Sequence, residues 1–115
     1  MNKFSTNFQS ILEERVARFG EDVIDFAKSV DRNEINRSLI SQIVRSATSI
    51  GANYMEANQA SRKEANETKH WARMIAKANK EKESACRKLW SEAHELTLIF
   101  AKISKSCDTK NIKES

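Results

Sequence analysis

Apolar residues recur along this chain in steps of three and four, and short polar breaks separate the runs. In the first run, Phe8, Ile11, Leu12, Val16, Phe19, Val23, Phe26, Ala27 and Val30 mark one face of a helix over about residues 8–30. Gly20 falls inside this stripe, where glycine costs about 1 kcal/mol against alanine. The stripe continues beyond it, so the helix is expected to pass through. Asp31-Arg32-Asn33-Glu34 then supplies the short polar residues of a turn and a cap.

A second helix is expected over about 34–60, with Ile35, Leu39, Ile40, Ile43, Ala47, Ile50, Tyr54 and Ala57 as its stripe. Small residues from Ser46 to Ala52 allow a neighbouring helix to come close. Ser61-Arg62-Lys63-Glu64 has the spacing of a capping box, which opens a third helix over about 62–78. Ala65, Thr68, Trp71, Ala72, Ile75 and Ala78 form its face. The fourth helix, about 81–106, carries Cys86, Leu89, Ala93, Leu96, Phe100, Ile103 and Cys107 in alternating steps of three and four. That is the seam of a left-handed bundle. A turn near Asn79 divides the third helix from the fourth, although one continuous helix from Ser61 to Ser106 also fits. Residues 107–115 read as a polar, fraying tail.

The expected fold is therefore all-α: an antiparallel, up-down four-helix bundle in a single domain of 115 residues. Composition agrees, since proline is absent and glycine occurs only twice. No stretch is apolar enough to span a membrane, and the N-terminus lacks the apolar run of a signal peptide. If Cys86 and Cys107 share a helix they lie roughly 31 Å apart, too far to bridge. Reduced thiols fit a cytoplasmic protein.

Charge is unevenly spread. The whole chain carries a formal +4. Residues 1–31 hold four basic and six acidic side chains, a net of −2, whereas residues 62–105 hold eleven and six, a net of +5. The C-terminal half is thus suited to a phosphate backbone or an acidic partner, unless these charges only solvate helix surfaces.

Catalytic patterns are missing: there is no phosphate loop, nucleophile elbow or Cys-x-x-Cys. Glu67-Thr68-Lys69-His70 has the Glu-x-x-His spacing of di-iron bundles, but no second pair accompanies it, since Ser91 precedes His94. Asp22 and Asp25, one turn apart, read as surface carboxylates. No enzymatic activity, metal or cofactor is expected. Arg45, Asn53, Glu56 and Glu67 are candidates for a mutually hydrogen-bonded polar cluster that fixes helix register or subunit pairing, or else are unrelated surface groups. Trp71 and Trp90 lie on the two most basic helices. Trp90 is expected to rim the Leu89 seam as an interface or core residue.

The segment Gln42-Ile43-Val44-Arg45-Ser46-Ala47-Thr48-Ser49-Ile50-Gly51-Ala52-Asn53-Tyr54-Met55-Glu56-Ala57 resembles the signature of the S23, or 23S rRNA intervening-sequence, four-helix-bundle proteins. Arg45, Ser49, Ile50, Gly51, Ala52, Asn53 and Glu56 carry the match. Lys63-Glu64-Ala65-Asn66-Glu67-Thr68-Lys69-His70-Trp71 is similar to the family's second block. The resemblance covers residues 8–106 and implies a homo-oligomeric ring, typically a pentamer, without enzymatic activity. It also implies kinship with diversity-generating retroelement accessory proteins, which bind nucleic acid and a reverse transcriptase. The family pattern holds roughly three further helical turns after Ser61-Arg62-Lys63, so the resemblance implies a shortened third helix.

Together these readings lead to an expectation of RNA or DNA binding through Arg62, Lys63, Lys69, Arg73, Lys77, Lys80, Lys82, Arg87 and Lys88. The alternative is a protein-interaction adaptor, such as an accessory subunit of a reverse transcriptase.

Overall fold

The computed structural model describes the backbone of residues 3–53 and 58–114, and the side chains of residues 7–51 and 59–103. Four helices follow one another: α1 (Lys3–Lys28), α2 (Glu34–Asn53), α3 (Asn58–Ala78) and α4 (Glu83–Glu114), with a single 3-10 turn (Lys80–Lys82) before α4. Among the described residues there is no strand. Each helix packs on its neighbours in sequence, α1 also meets α4, and among the described residues the backbones of the diagonal pairs stay farther apart. That is the arrangement of a four-cornered bundle. Pairing runs antiparallel: Ser46 of α2 meets Thr68 of α3, while Ile50, one turn later, meets Ser61.

All four helices feed one core. Val16, Phe19 and Val23 come from α1, Ile43 and Ile50 from α2, Ile75 from α3, and Leu96 and Phe100 from α4. Burying each such side chain contributes about 1.5–3 kcal/mol. From α3 the core also takes Ala65 and Ala72, so this helix lies close against its neighbours. Gly20 sits mid-helix as expected, and α1 continues through it.

Two junctions set the helix ends. Asn33 caps α2: its Oδ1 accepts the backbone N–H of Asn36 at 2.8 Å. At the other junction, α3 stops at Asn79, whose backbone (φ −138°, ψ 83°) leaves the helical region. Its carbonyl then accepts from Lys82 N–H at 2.9 Å to start the 3-10 turn. The expected turn near Asn79 is therefore present, and the continuous-helix alternative is not.

Several boundaries differ from expectation. The second helix does not reach residue 60: α2 is described to Asn53, and Ala60 already belongs to α3. Ser61 is not a cap. It is fully buried inside α3, and its hydroxyl donates to the Ile50 carbonyl across the hairpin at 3.5 Å. At 21 residues α3 remains shorter than α1 and α4. Nor is there a tail from residue 107, since α4 runs to Glu114; no glycine or proline interrupts that stretch. Consequently Cys86 and Cys107 both lie on α4.

Parts of the stripes also shift. Ile35 is 66% exposed and its neighbour Asn36 is buried instead. Asn36 stands seven residues before Ile43 and fourteen before Ile50, which keeps it on the core line of α2. Phe8 and Ile11, both placed in the first stripe, are exposed near the start of α1. Tyr54 and Ala57 lie outside the described residues.

Candidate nucleic-acid interface

Helical phase decides where the basic residues stand. On α3 the core line is Ser61, Ala65, Thr68, Ala72 and Ile75. Relative to it, Arg62, Lys69 and Arg73 fall on the flank toward α4, while Lys63 and Lys77 stand opposite the core. Lys80 and Lys82 extend the same surface onto the 3-10 turn. Arg87 stands on the first turns of α4, ion-paired to Glu83 at 2.9 Å. Arg87 and Lys88 both border a shallow depression on α4, together with Ser84, Ser91, Glu92 and Glu95. Of the nine expected contact residues, seven therefore lie on α3 and the 3-10 turn, and Arg87 and Lys88 follow together on α4.

The acids of α3 and α4 are occupied elsewhere. Arg45 of α2 reaches across to α3 and donates to Glu67 at 2.6 Å and to Glu64 at 3.3 Å. Arg15 of α1 reaches to α4, bidentate to Glu92 at 2.8 Å through both Nε and Nη2, with Glu95 also in contact. Each arginine bridges two carboxylates one helical turn apart. Both guanidinium groups are raised above their ordinary pKa. The chief causes are the hydrogen bond that Arg15 donates to Glu92 and the one that Arg45 donates to Glu67.

Arg62, Lys63, Lys69, Arg73, Lys77, Lys80, Lys82 and Lys88 have no ion-pair partner among the described residues. Arginines from α1 and α2 thus neutralise four acids of α3 and α4, and the basic groups of α3 and the 3-10 turn keep no ion-pair partner among the described residues.

Of the expected polar cluster, the structure joins Arg45 and Glu67 and adds Glu64, which the capping-box reading had assigned elsewhere. The pair is not buried: the Arg45 side chain is half exposed. The Asn53 side chain and all of Glu56 lie outside the described residues. A hydrogen bond at the neighbouring helix contact is buried instead. The hydroxyls of Ser46 and Thr68 meet at 2.9 Å, and each also lies within reach of a carbonyl of its own helix, Ile43 or Glu64.

Between α3 and α4 lies an aromatic group that sequence reasoning left unassembled. The Trp90 indole stacks on His94, with ring centroids 5.0 Å apart and planes inclined by 15°. Lys69 Nζ sits 3.2 Å from His94 Nδ1 and 5.2 Å from the indole centroid. The lysine ammonium can only donate, so Nδ1 accepts and the imidazole proton resides on Nε2. The signal was the i, i+4 spacing of Trp90 and His94 on a helix, but the lysine contact depends on how the hairpin closes.

His70 is exposed and meets Trp71 edge-on at 4.8 Å. Its expected companion Glu67 is turned to Arg45. No group of three His, Cys, Asp or Glu side chains converges among the described residues, and Asp22 and Asp25 are exposed. No helix among them is long and apolar enough to cross a membrane. No protein-family model matches this chain, and no curated protein or solved structure matches it either.

Proposed function

We propose that this protein is a non-enzymatic, self-assembling cytoplasmic bundle that binds nucleic acid, RNA foremost, through the outer face of α3, the 3-10 turn and the start of α4. One observation carries the reading: Arg45 and Arg15 occupy Glu64, Glu67, Glu92 and Glu95, leaving the basic groups of α3 and the 3-10 turn without an ion-pair partner among the described residues. Such a face attracts polyanions by releasing their condensed counterions, so its affinity depends steeply on salt and only weakly on sequence. The resemblance of residues 42–57 to the S23 proteins supports the same reading.

Self-association draws support from apolar groups on both flanks of α1. Ile11 is 67% exposed on the side of α4, and Ile24 borders the groove between α1 and α2. Two different surfaces on one subunit suit the head-to-tail contacts from which rings are built. A pentamer is what the family resemblance implies, and mass measurement in solution tests it.

Titration of structured RNA and of duplex DNA from low to physiological salt tests the binding. Affinity that is strong at low salt and falls steeply supports it, and no binding at low salt removes it. Reversing the charges of Lys63, Lys77 and Lys80 separates the two roles. If that variant loses RNA but still captures a reverse transcriptase, the adaptor role is the primary one.

A further inference from the structure

We infer that Trp90 is a stacking platform for an unpaired nucleobase, which would make the basic face a binder of single-stranded nucleic acid in preference to duplex. The inference rests on the proposed nucleic-acid binding and specifies its substrate.

His94 is stacked on one face of the indole, since the two planes are nearly parallel. Lys69 Nζ is so close to His94 Nδ1 that it must lie on the imidazole side of the indole plane; a nitrogen beyond the indole could not reach Nδ1. Ring and cation therefore share one side. Among the described residues no other ring or cation meets Trp90. The residue stays 39% exposed with that stack in place, so part of the ring is accessible to a ligand.

The ring is also pre-ordered. Stacking against His94 and the cation beneath limit its rotamers, so little freedom remains to be lost when a base lies on it. Lys69 lies beside it and Arg87 stands three residues earlier on α4, a basic setting suited to the phosphates on either side of a stacked base. Aromatic rings interleaved with cations are how single strands are held without sequence reading, because every base offers a flat face. A duplex keeps its bases stacked inside and has none to offer.

Binding to a single-stranded oligonucleotide, a duplex of the same sequence and a single strand lacking its bases would test this. In a Trp71→Phe background, Trp90 is the only indole, and its fluorescence should be quenched by the single strand but not by the duplex or the abasic strand. Trp90→Leu should weaken single-strand binding by roughly 5- to 100-fold and leave duplex binding unchanged, while Trp90→Phe restores part of the loss. Thermal melting of each variant checks the fold, and the quenching experiment stands even if Trp90→Leu does not fold.

Duplex bound as tightly as single strand, with no selective quenching, would overturn the stacking role while leaving the phosphate-binding reading intact. No binding to any of the three polyanions would remove both. A drop in oligomer mass for Trp90→Leu, without selective loss of the single strand, would make the exposed part of the indole a contact between copies instead.

Discussion

Asn36 and Asn79 hydrogen-bond each other twice across one end of the bundle, each side-chain amide donating to the other's carbonyl at 2.9 and 2.8 Å. The remaining N–H of Asn36 reaches the Asp31 carbonyl, and that of Asn79 reaches the Ile75 carbonyl. Both residues are buried. The pair therefore ties the α1–α2 junction to the α3–α4 junction and leaves no amide donor unsatisfied. Sliding either hairpin by one residue would break both bonds, so the pair fixes register at the cost of two buried polar groups.

Replacing Asn36 by alanine strands the Asn79 amide in the core. The expected loss is about 2 kcal/mol, the usual penalty for an orphaned buried polar group. Asn79→Ala should cost a similar amount, and the double substitution clearly less than the sum. Denaturant unfolding of all four proteins in the cycle measures this, and strictly additive losses would show that the two amides do not act as a unit.

Gly20 offers a gain. A Cβ built there meets Thr48 Cγ2 at 3.8 Å and the Ala47 carbonyl at 3.9 Å, ordinary contact distances. Its backbone conformation is one any residue adopts. Gly20→Ala should therefore stabilise the protein by about 0.5–1 kcal/mol through helix propensity alone. The melting temperature should rise by several degrees, and a fall would mean that α1 and α2 approach more closely when subunits assemble.

The helices were legible because apolar spacing and core position coincide over most of their length: Val16, Phe19, Val23, Ile43, Leu96 and Phe100 all lie where the stripes place them. The α2–α3 boundary was not. Ser61 and Glu64 have the spacing of a cap, but both side chains bond across the hairpin instead, Ser61 to Ile50 and Glu64 to Arg45. Local spacing cannot distinguish a side chain that turns to its own backbone from one that turns to a neighbouring helix. Asn36 escaped notice for a related reason, since a polar residue on a core line looks like an interruption until its partner, 43 residues away, is in view. The basic face was legible as charge. Its lack of internal partners was not, because Arg15 and Arg45 lie far from the acids they occupy.

Those ion pairs yield a prediction that separates field from contact. Glu64→Gln together with Glu67→Gln removes two negative charges beside the basic face and frees Arg45 to solvent. Affinity for duplex DNA at low salt should rise by about 2- to 10-fold, although none of the altered residues need touch the ligand. The gain should shrink as salt is added. Unchanged affinity at low salt would place the bound polyanion away from α3.

Cys86 gives the last prediction, through pH. Burial pushes its thiol up to about 11, with Lys82 acting weakly in the opposite direction. The same thiol in the unfolded chain titrates near its ordinary value of about 8.5–9. Between pH 9 and 11 the unfolded state thus loses a proton that the folded state keeps, and stability falls as pH rises across that window. Below it the thiol is neutral in both states and contributes no pH dependence. The effect is expected to reach at most about 3 kcal/mol. It can be isolated by comparison with Cys86→Ala, because other groups titrate in the same range. The destabilisation caused by Cys86→Ala should be constant up to pH 8 and then shrink steadily toward pH 11. In a Cys107→Ser background at pH 8, iodoacetamide should label Cys86 only as fast as the bundle opens. Rapid labelling of the folded protein, or a mutational cost that does not change with pH, would show that this thiol is in contact with water.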